Sequence, residues 1–215
     1  VGLFIGDLLL FKSYLLIGSR TATLIMSTVP VITATIGWFF LEEILSFKSI
    51  LAIIVSISGI VIAIADRRLQ IRVPLKGLLY AFGGAVGQAV GLILSKKGIG
   101  DYDPISATQI RIVFGMACFI ILITIIGRWP KVVEALKDRN GFKSVSVGAF
   151  FGPFLGITLS LFAIQNTQTG IASTFMALVP VFIIIPSAIM FKEKITPHHV
   201  IGAIVSIIGV SLFFF

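Results

Sequence analysis

The 215 residues are 57% apolar and only 12% charged, with a net charge of +8 and a mean hydropathy of +1.11. A soluble domain runs near a quarter charged because its surface must face water, so this composition excludes a soluble globular fold. The apolar residues come in runs of about 20, the length that crosses a hydrocarbon core, and with no water there each run must satisfy its own backbone as a helix. The runs do not alternate as the strands of a membrane barrel would.

Eight spans are predicted, roughly 1–17, 21–41, 47–65, 76–95, 104–126, 145–165, 170–191 and 197–215, which makes the fold class an all-α membrane protein. The first holds Asp7 and Lys12, two charges that cost about 2.5–3.5 kcal/mol each inside a membrane and therefore face the bundle interior or water. They are five residues apart, so they point about 140° from one another and are not expected to pair directly. The second span carries Pro30 in its middle, expected to free a carbonyl one turn back and bend the helix, and Trp38 near its end, expected at the interface. Ser46 is placed to cap the third span. The fourth holds Gly84, Gly87 and Gly91 on one face, where a neighbouring helix can approach closely. It also holds Tyr80 and Gln88 two turns apart, candidates to line a cavity because an amide in lipid would be unsatisfied.

Asp103-Pro104 reads as a capped start to the fifth span, as Thr196-Pro197 does for the eighth. Arg111 is a third intramembrane charge. Cys118 stands alone within an apolar run and reads as a small buried hydrophobe. The loop 127–144 mixes Trp129, Val132, Val133 and Leu136 with charges and reads equally as an amphipathic interfacial helix or a solvated loop. The seventh span repeats the mid-span proline as Pro180. Thr33, Ser56 and Ser206 are expected to bond back to the preceding turn.

The chain repeats itself. Residues 22–65 slide onto 172–215 at a shift of 150 without a gap: Val29-Pro30-Val31 falls on Val179-Pro180-Val181, Glu43 on Glu193, Ile54-Val55-Ser56-Ile57 on Ile204-Val205-Ser206-Ile207, and Gly59 on Gly209. Upstream, Gly2 and Gly6 resemble Gly148 and Gly152 at a shift of 146, which requires a gap of four. A unit 76–215 then holds five spans and a unit 1–66 holds three. The expectation is a chain lacking the first two helices of a ten-helix protein of roughly 280–290 residues, estimated at about 140 per unit. An odd number of spans per repeat inverts the second copy in the membrane, a recurrent plan of secondary transporters.

These motifs resemble the EamA-type domain of the drug/metabolite transporter superfamily: M-x-x-V-P-V, then a span ending L-E-E-I-L-S and a span closing on S-x-x-G, answered by M-A-L-V-P-V, F-K-E-K-I-T-P and G-A-I-V-S-I-I-G-V. Arg111, seven residues after Pro104, resembles the family's arginine in that helix. The resemblance implies two inverted five-helix units around a central cavity and movement of small metabolites or drugs. The expected partners are a small-molecule substrate and membrane lipid. Nucleic acid is discounted because the basic residues sit in short loops, as topology signals do. The expected location is a prokaryotic inner membrane.

No metal or cofactor motif occurs. His198-His199 diverge by about 100°, there is no Cys cluster, and no nucleophile–base constellation points to an enzyme. Glu43 and Glu193 belong to opposite membrane faces in inverted repeats and are expected to cap or brace loops rather than to act as an acid/base pair. The alternatives are a membrane-embedded lipid-modifying enzyme and a non-transporting subunit. Alternate loops place twelve basic residues, Arg20, Arg67, Arg68, Arg72, Lys76, Arg128, Lys131, Lys137, Arg139, Lys143, Lys192 and Lys194, on one side and three, Lys48, Lys96 and Lys97, on the other. The positive-inside rule puts the first group in the cytoplasm and the termini of a ten-helix protein outside, whereas the resemblance implies termini inside.

Overall fold

A computed structural model describes residues 2–64, 74–182 and 197–213. Its helices are α1 (Asp7–Met26), α2 (Val29–Leu41), α3 (Phe47–Ile64), α4 (Leu75–Ile99), α5 (Pro104–Ile126), α6 (Trp129–Lys137), α7 (Arg139–Ala149), α8 (Ile157–Asn166), α9 (Thr169–Met176), α10 (Val179–Phe182) and α11 (Pro197–Ser211). Short π-helical stretches, Gly2–Gly6 and Phe150–Gly156, lead directly into α1 and α8. The described residues contain no strand. Four helical stretches among them, Thr21–Leu41, Leu75–Ile99, Pro104–Ile126 and Arg139–Asn166, are long and apolar enough to cross a bilayer, while Phe47–Ala63 and Pro197–Ser211 are shorter apolar helices. The predicted span 170–191 runs beyond the described residues, as do Glu193 and Thr196.

The chain forms two compact units, one of Val1–Lys97 with Thr167–Phe215 and one of Gly98–Asn166. This grouping cuts across the sequence units, since α3 and α11 share the first. Helix boundaries along the chain recur at the spacing read from the sequence. Asp7 and Ile157 each start a helix behind a π stretch, Gly18 and Gln168 each lie at a break, and Val29 and Val179, then Phe47 and Pro197, start the helices that follow. The element starts thus keep the 150 spacing upstream, where the glycine pattern alone called for a gap.

The prolines do not bend a continuous helix. The helix is interrupted at Ser27–Thr28 and restarts at Val29, so Pro30 takes an early position where its missing N–H costs nothing. Ser27 and Thr28 hydroxyls donate to the carbonyls of Thr23 (3.1 Å) and Ile25 (2.7 Å), which the Ser27 and Thr28 amides also reach at 3.0 Å each, so the interrupted turn is bonded by side chain and backbone together. Val179–Phe182 restarts in the same way around Pro180 after Ala177–Leu178. At the earlier break Gly18 has φ 74° and ψ 159°, a conformation open essentially to glycine alone.

Helices α3 and α11 cross through their S-x-x-G motifs. A Cβ added at Gly59 would meet the amide nitrogen and hydroxyl of Ser206, and one at Gly209 would meet the same atoms of Ser56. The contact is therefore reciprocal between positions 150 apart, as a local two-fold relation requires. Ser56 and Ser206 bond back to Ala52 and Gly202 carbonyls at 2.8 Å each, as Thr33 does to Val29 at 2.7 Å, which removes their polarity from the buried crossing.

In the second unit, Asp103 caps α5 by accepting from the Ser106 amide at 3.0 Å. Thr158 of α8 donates to Thr108 of α5 at 3.1 Å. The loop 127–144 is mostly helical: α6 places Trp129, Val132, Val133 and Leu136 on one stripe, the amphipathic reading, and α7 opens under the Asp138 cap and runs on towards α8.

Candidate functional site

Helix α4 is built to be approached. Its Gly91, Gly87 and Gly84 lie against Gly2, Gly6 and the Gly6–Leu10 backbone. A Cβ on Gly87 would sit 2.8 Å from Gly6 Cα, and one on Gly91 would sit 2.9 Å from Gly2 Cα. The expected small-residue face is therefore a close antiparallel approach between α4 and the start of α1, with Gly2 and Gly6 supplying the other side. Ala81, Ala85 and Ala89, all fully buried, pack a neighbouring face against Ile17, Ala22 and Val29.

Four of the five predicted polar site residues meet across this seam. Gln88 Nε2 donates to Asp7 Oδ1 at 2.6 Å, with both residues half-buried. Lys12 Nζ stands 5.8 Å from the centroid of the Tyr80 ring, within cation–π range. Asp7 and Lys12 thus each find a partner on α4. These pairs answer the cost of a charge in the span and keep a carboxylate, an amide, an ammonium and a phenol ring along one helix seam. Arg111 is half-buried on α5 in the other unit.

Glu43 does what its place at a span end implied and more. Its Oε2 accepts the Thr169 amide at 2.8 Å and the Thr169 hydroxyl at 2.7 Å, capping α9 from another part of the chain. Its Oε1 lies 2.6 Å from Lys96 Nζ, an ion pair that is the only polar contact of that oxygen among the described residues. Lys96 in turn donates to the Thr167 carbonyl at 2.5 Å, and Gln168 Nε2 to the Ile44 carbonyl at 3.1 Å. Gly37 leaves the room: a Cβ there would sit 2.7 Å from Thr169 Oγ1 and 3.0 Å from Glu43 Oε2. In the sequence Lys96 stands out only as a loop charge. The available signal was topological, because loops 42–46, 96–103 and 166–169 all fall on one side of the alternating spans. Beside this cluster, a cavity of about 510 Å³ is lined by Val31, Thr35, Trp38, Glu43, Ile44 and Ile54.

Residues 1–65 and 75–215 match the EamA-like transporter family. The chain belongs to that family. The EamA-like chain is 28% identical over 195 residues to an uncharacterized transporter of Clostridium kluyveri, covering 89% of this chain and 62% of that protein. It is 26% identical over 213 residues to the uncharacterized transporter YyaM of Bacillus subtilis, covering 98% and 69% respectively. A solved crystal structure superposes with a TM-score of 0.76 at 17% identity, covering 99% of this chain and 72% of that one, which supports the helical fold. The EamA-like chain is thus an all-α integral membrane protein of the drug/metabolite transporter superfamily, and it spans less than two thirds of the Clostridium kluyveri relative.

Proposed function

We propose that this protein is a secondary transporter that moves small organic metabolites or drugs across a prokaryotic inner membrane, by alternating access between two inverted repeats, residues 1–66 and 76–215. The observation that carries the reading is the polar seam between α1 and α4. Asp7 with Gln88 and Lys12 with Tyr80 hold both signs of charge inside apolar spans, at a cost that a purely structural helix contact avoids. Opposite charges along one seam suit a neutral or zwitterionic solute, whose own amine and carboxylate can replace the internal partners. The reciprocal Ser56–Gly209 and Ser206–Gly59 contacts and the broken helices before Pro30 and Pro180 support the repeat. Family membership supports transport rather than chemistry on a substrate.

Counterflow of radiolabelled zwitterionic amino acids, neutral metabolites and cationic drugs into proteoliposomes tests this. Saturable flux of at least one class is expected, falling about tenfold in Gln88→Leu, which removes the amide donor to Asp7. The reading is overturned by flux that is absent across the panel while a lipid product accumulates, and its site is overturned by Gln88→Leu flux equal to the parent.

A further inference from the structure

The Glu43 cluster stands apart from the α1–α4 seam and joins three segments that the chain brings to one end of the first unit: the loop after α2, the end of α4 and the turn before α9. The side chains of Glu43 and Lys96 are only 10% and 23% exposed. At such depth the desolvation of two ions consumes much of their attraction, so a closed pair and an open, rehydrated pair lie near balance. A contact whose purpose was stability alone would be served as well by apolar side chains. Glu43 also holds α9 by its first amide and by the Thr169 hydroxyl, and α9 is a single short helix whose far end is the break at Ala177–Leu178. Releasing Glu43 therefore uncaps a helix that already has a joint behind it.

We propose that Glu43 and Lys96 form a latch on the sparsely basic face of the membrane, closed in this structure and released when that face opens to water. The proposal rests on the transport reading above and assigns the ion pair a place in its cycle. Lys96 closes the latch by charge, Glu43 transmits the closure to α9 through Thr169, and Gly37 lets the three meet.

The test uses the full-length protein and Lys96→Gln, which keeps Glu43 and its bonds to Thr169 while removing the charge that closes the latch. Two readouts are taken: hydrogen exchange of the backbone amides at 169–172, and counterflow of the radiolabelled amino acid panel. The latch predicts exchange about tenfold faster in Lys96→Gln than in the parent and flux altered about tenfold, with both held near the parent's in Lys96→Arg, which keeps the charge. Faster exchange in Lys96→Gln with no flux in the parent protein would leave the latch standing and remove the transport reading. Exchange in Lys96→Gln equal to the parent's overturns the latch, whatever the flux. Should Lys96→Gln fail to fold, Lys96→Met serves, with the same exchange expected and the same result overturning the proposal.

Discussion

Replacing Gly209 by Ala tests the reciprocal crossing of α3 and α11. The added Cβ would lie 2.6 Å from Ser56 Oγ and 2.8 Å from Ser56 Cα, and closer still to the Ser56 amide nitrogen. Carbon atoms in good contact stand about 3.5–4.0 Å apart, so relieving the clash with that backbone carbon alone requires about 0.7 Å of separation. The obstacle is backbone, and no rotamer relieves it. A gap of that size forfeits about a quarter to a half of each dispersion contact of ~0.1–0.2 kcal/mol; over the roughly 40–60 atom pairs that one buried Leu makes, the loss is about 2–3 kcal/mol. Alanine recovers up to about 1 kcal/mol through its better helix propensity, leaving a net destabilisation of about 1–2 kcal/mol. Gly98→Ala is the control, since a Cβ there meets nothing within 4 Å; it should be neutral or stabilising by up to about 1 kcal/mol. Unfolding by sodium dodecyl sulfate in mixed micelles, followed by circular dichroism, measures both. By the two-fold relation Gly59→Ala should behave as Gly209→Ala does. A Gly209→Ala protein as stable as Gly98→Ala would show that the helices do not cross at this point.

Gly18→Ala places a side chain at φ 74° and ψ 159° and should cost about 1–3 kcal/mol in the same titration, although nothing lies near enough to clash with it. Thr169→Val removes the hydroxyl donated to Glu43 while leaving the backbone amide, and should lower stability by about 1.5–3 kcal/mol, the range for a hydrogen bond to a charged group; Thr169→Ser should restore most of it. Asp103→Ala deletes the α5 cap and should lower the thermal midpoint by an amount equivalent to about 1 kcal/mol, with Asp103→Asn close to the parent.

Much of the local structure was legible because it depends on nearest neighbours along the chain. Asp103 before Pro104 and Ser46 three residues before Ser49 read as caps, and both cap. The back-bonding of Thr33, Ser56 and Ser206 follows from a hydroxyl within reach of its own preceding turn. The glycine face of α4 was legible as a face, since three and four residues of spacing fix a helix stripe, but its occupant was not. Gly2 and Gly6 stand more than 80 positions earlier, and only folding sets them against Gly91 and Gly87. Pro30 makes a break where its position in the run implies a bend, for a related reason. A proline forbids one hydrogen bond, and whether the chain then kinks or stops depends on how the turn before it is held; here Ser27 and Thr28 add side-chain bonds to the Thr23 and Ile25 carbonyls and the helix restarts at Val29.

Composition and periodicity by themselves determined that the chain is a helical membrane protein, because a backbone in lipid has no partner except itself. The 150-residue shift determined the order of its helices and breaks. Only the tertiary structure decided which polar groups meet. Asp7 took Gln88, Lys12 took the ring of Tyr80, and Glu43 took Lys96 and Thr169, all partners from distant parts of the chain. The cost of burying a charge is a local property, readable wherever a charge stands in an apolar run. The identity of the group that offsets it belongs to the packing.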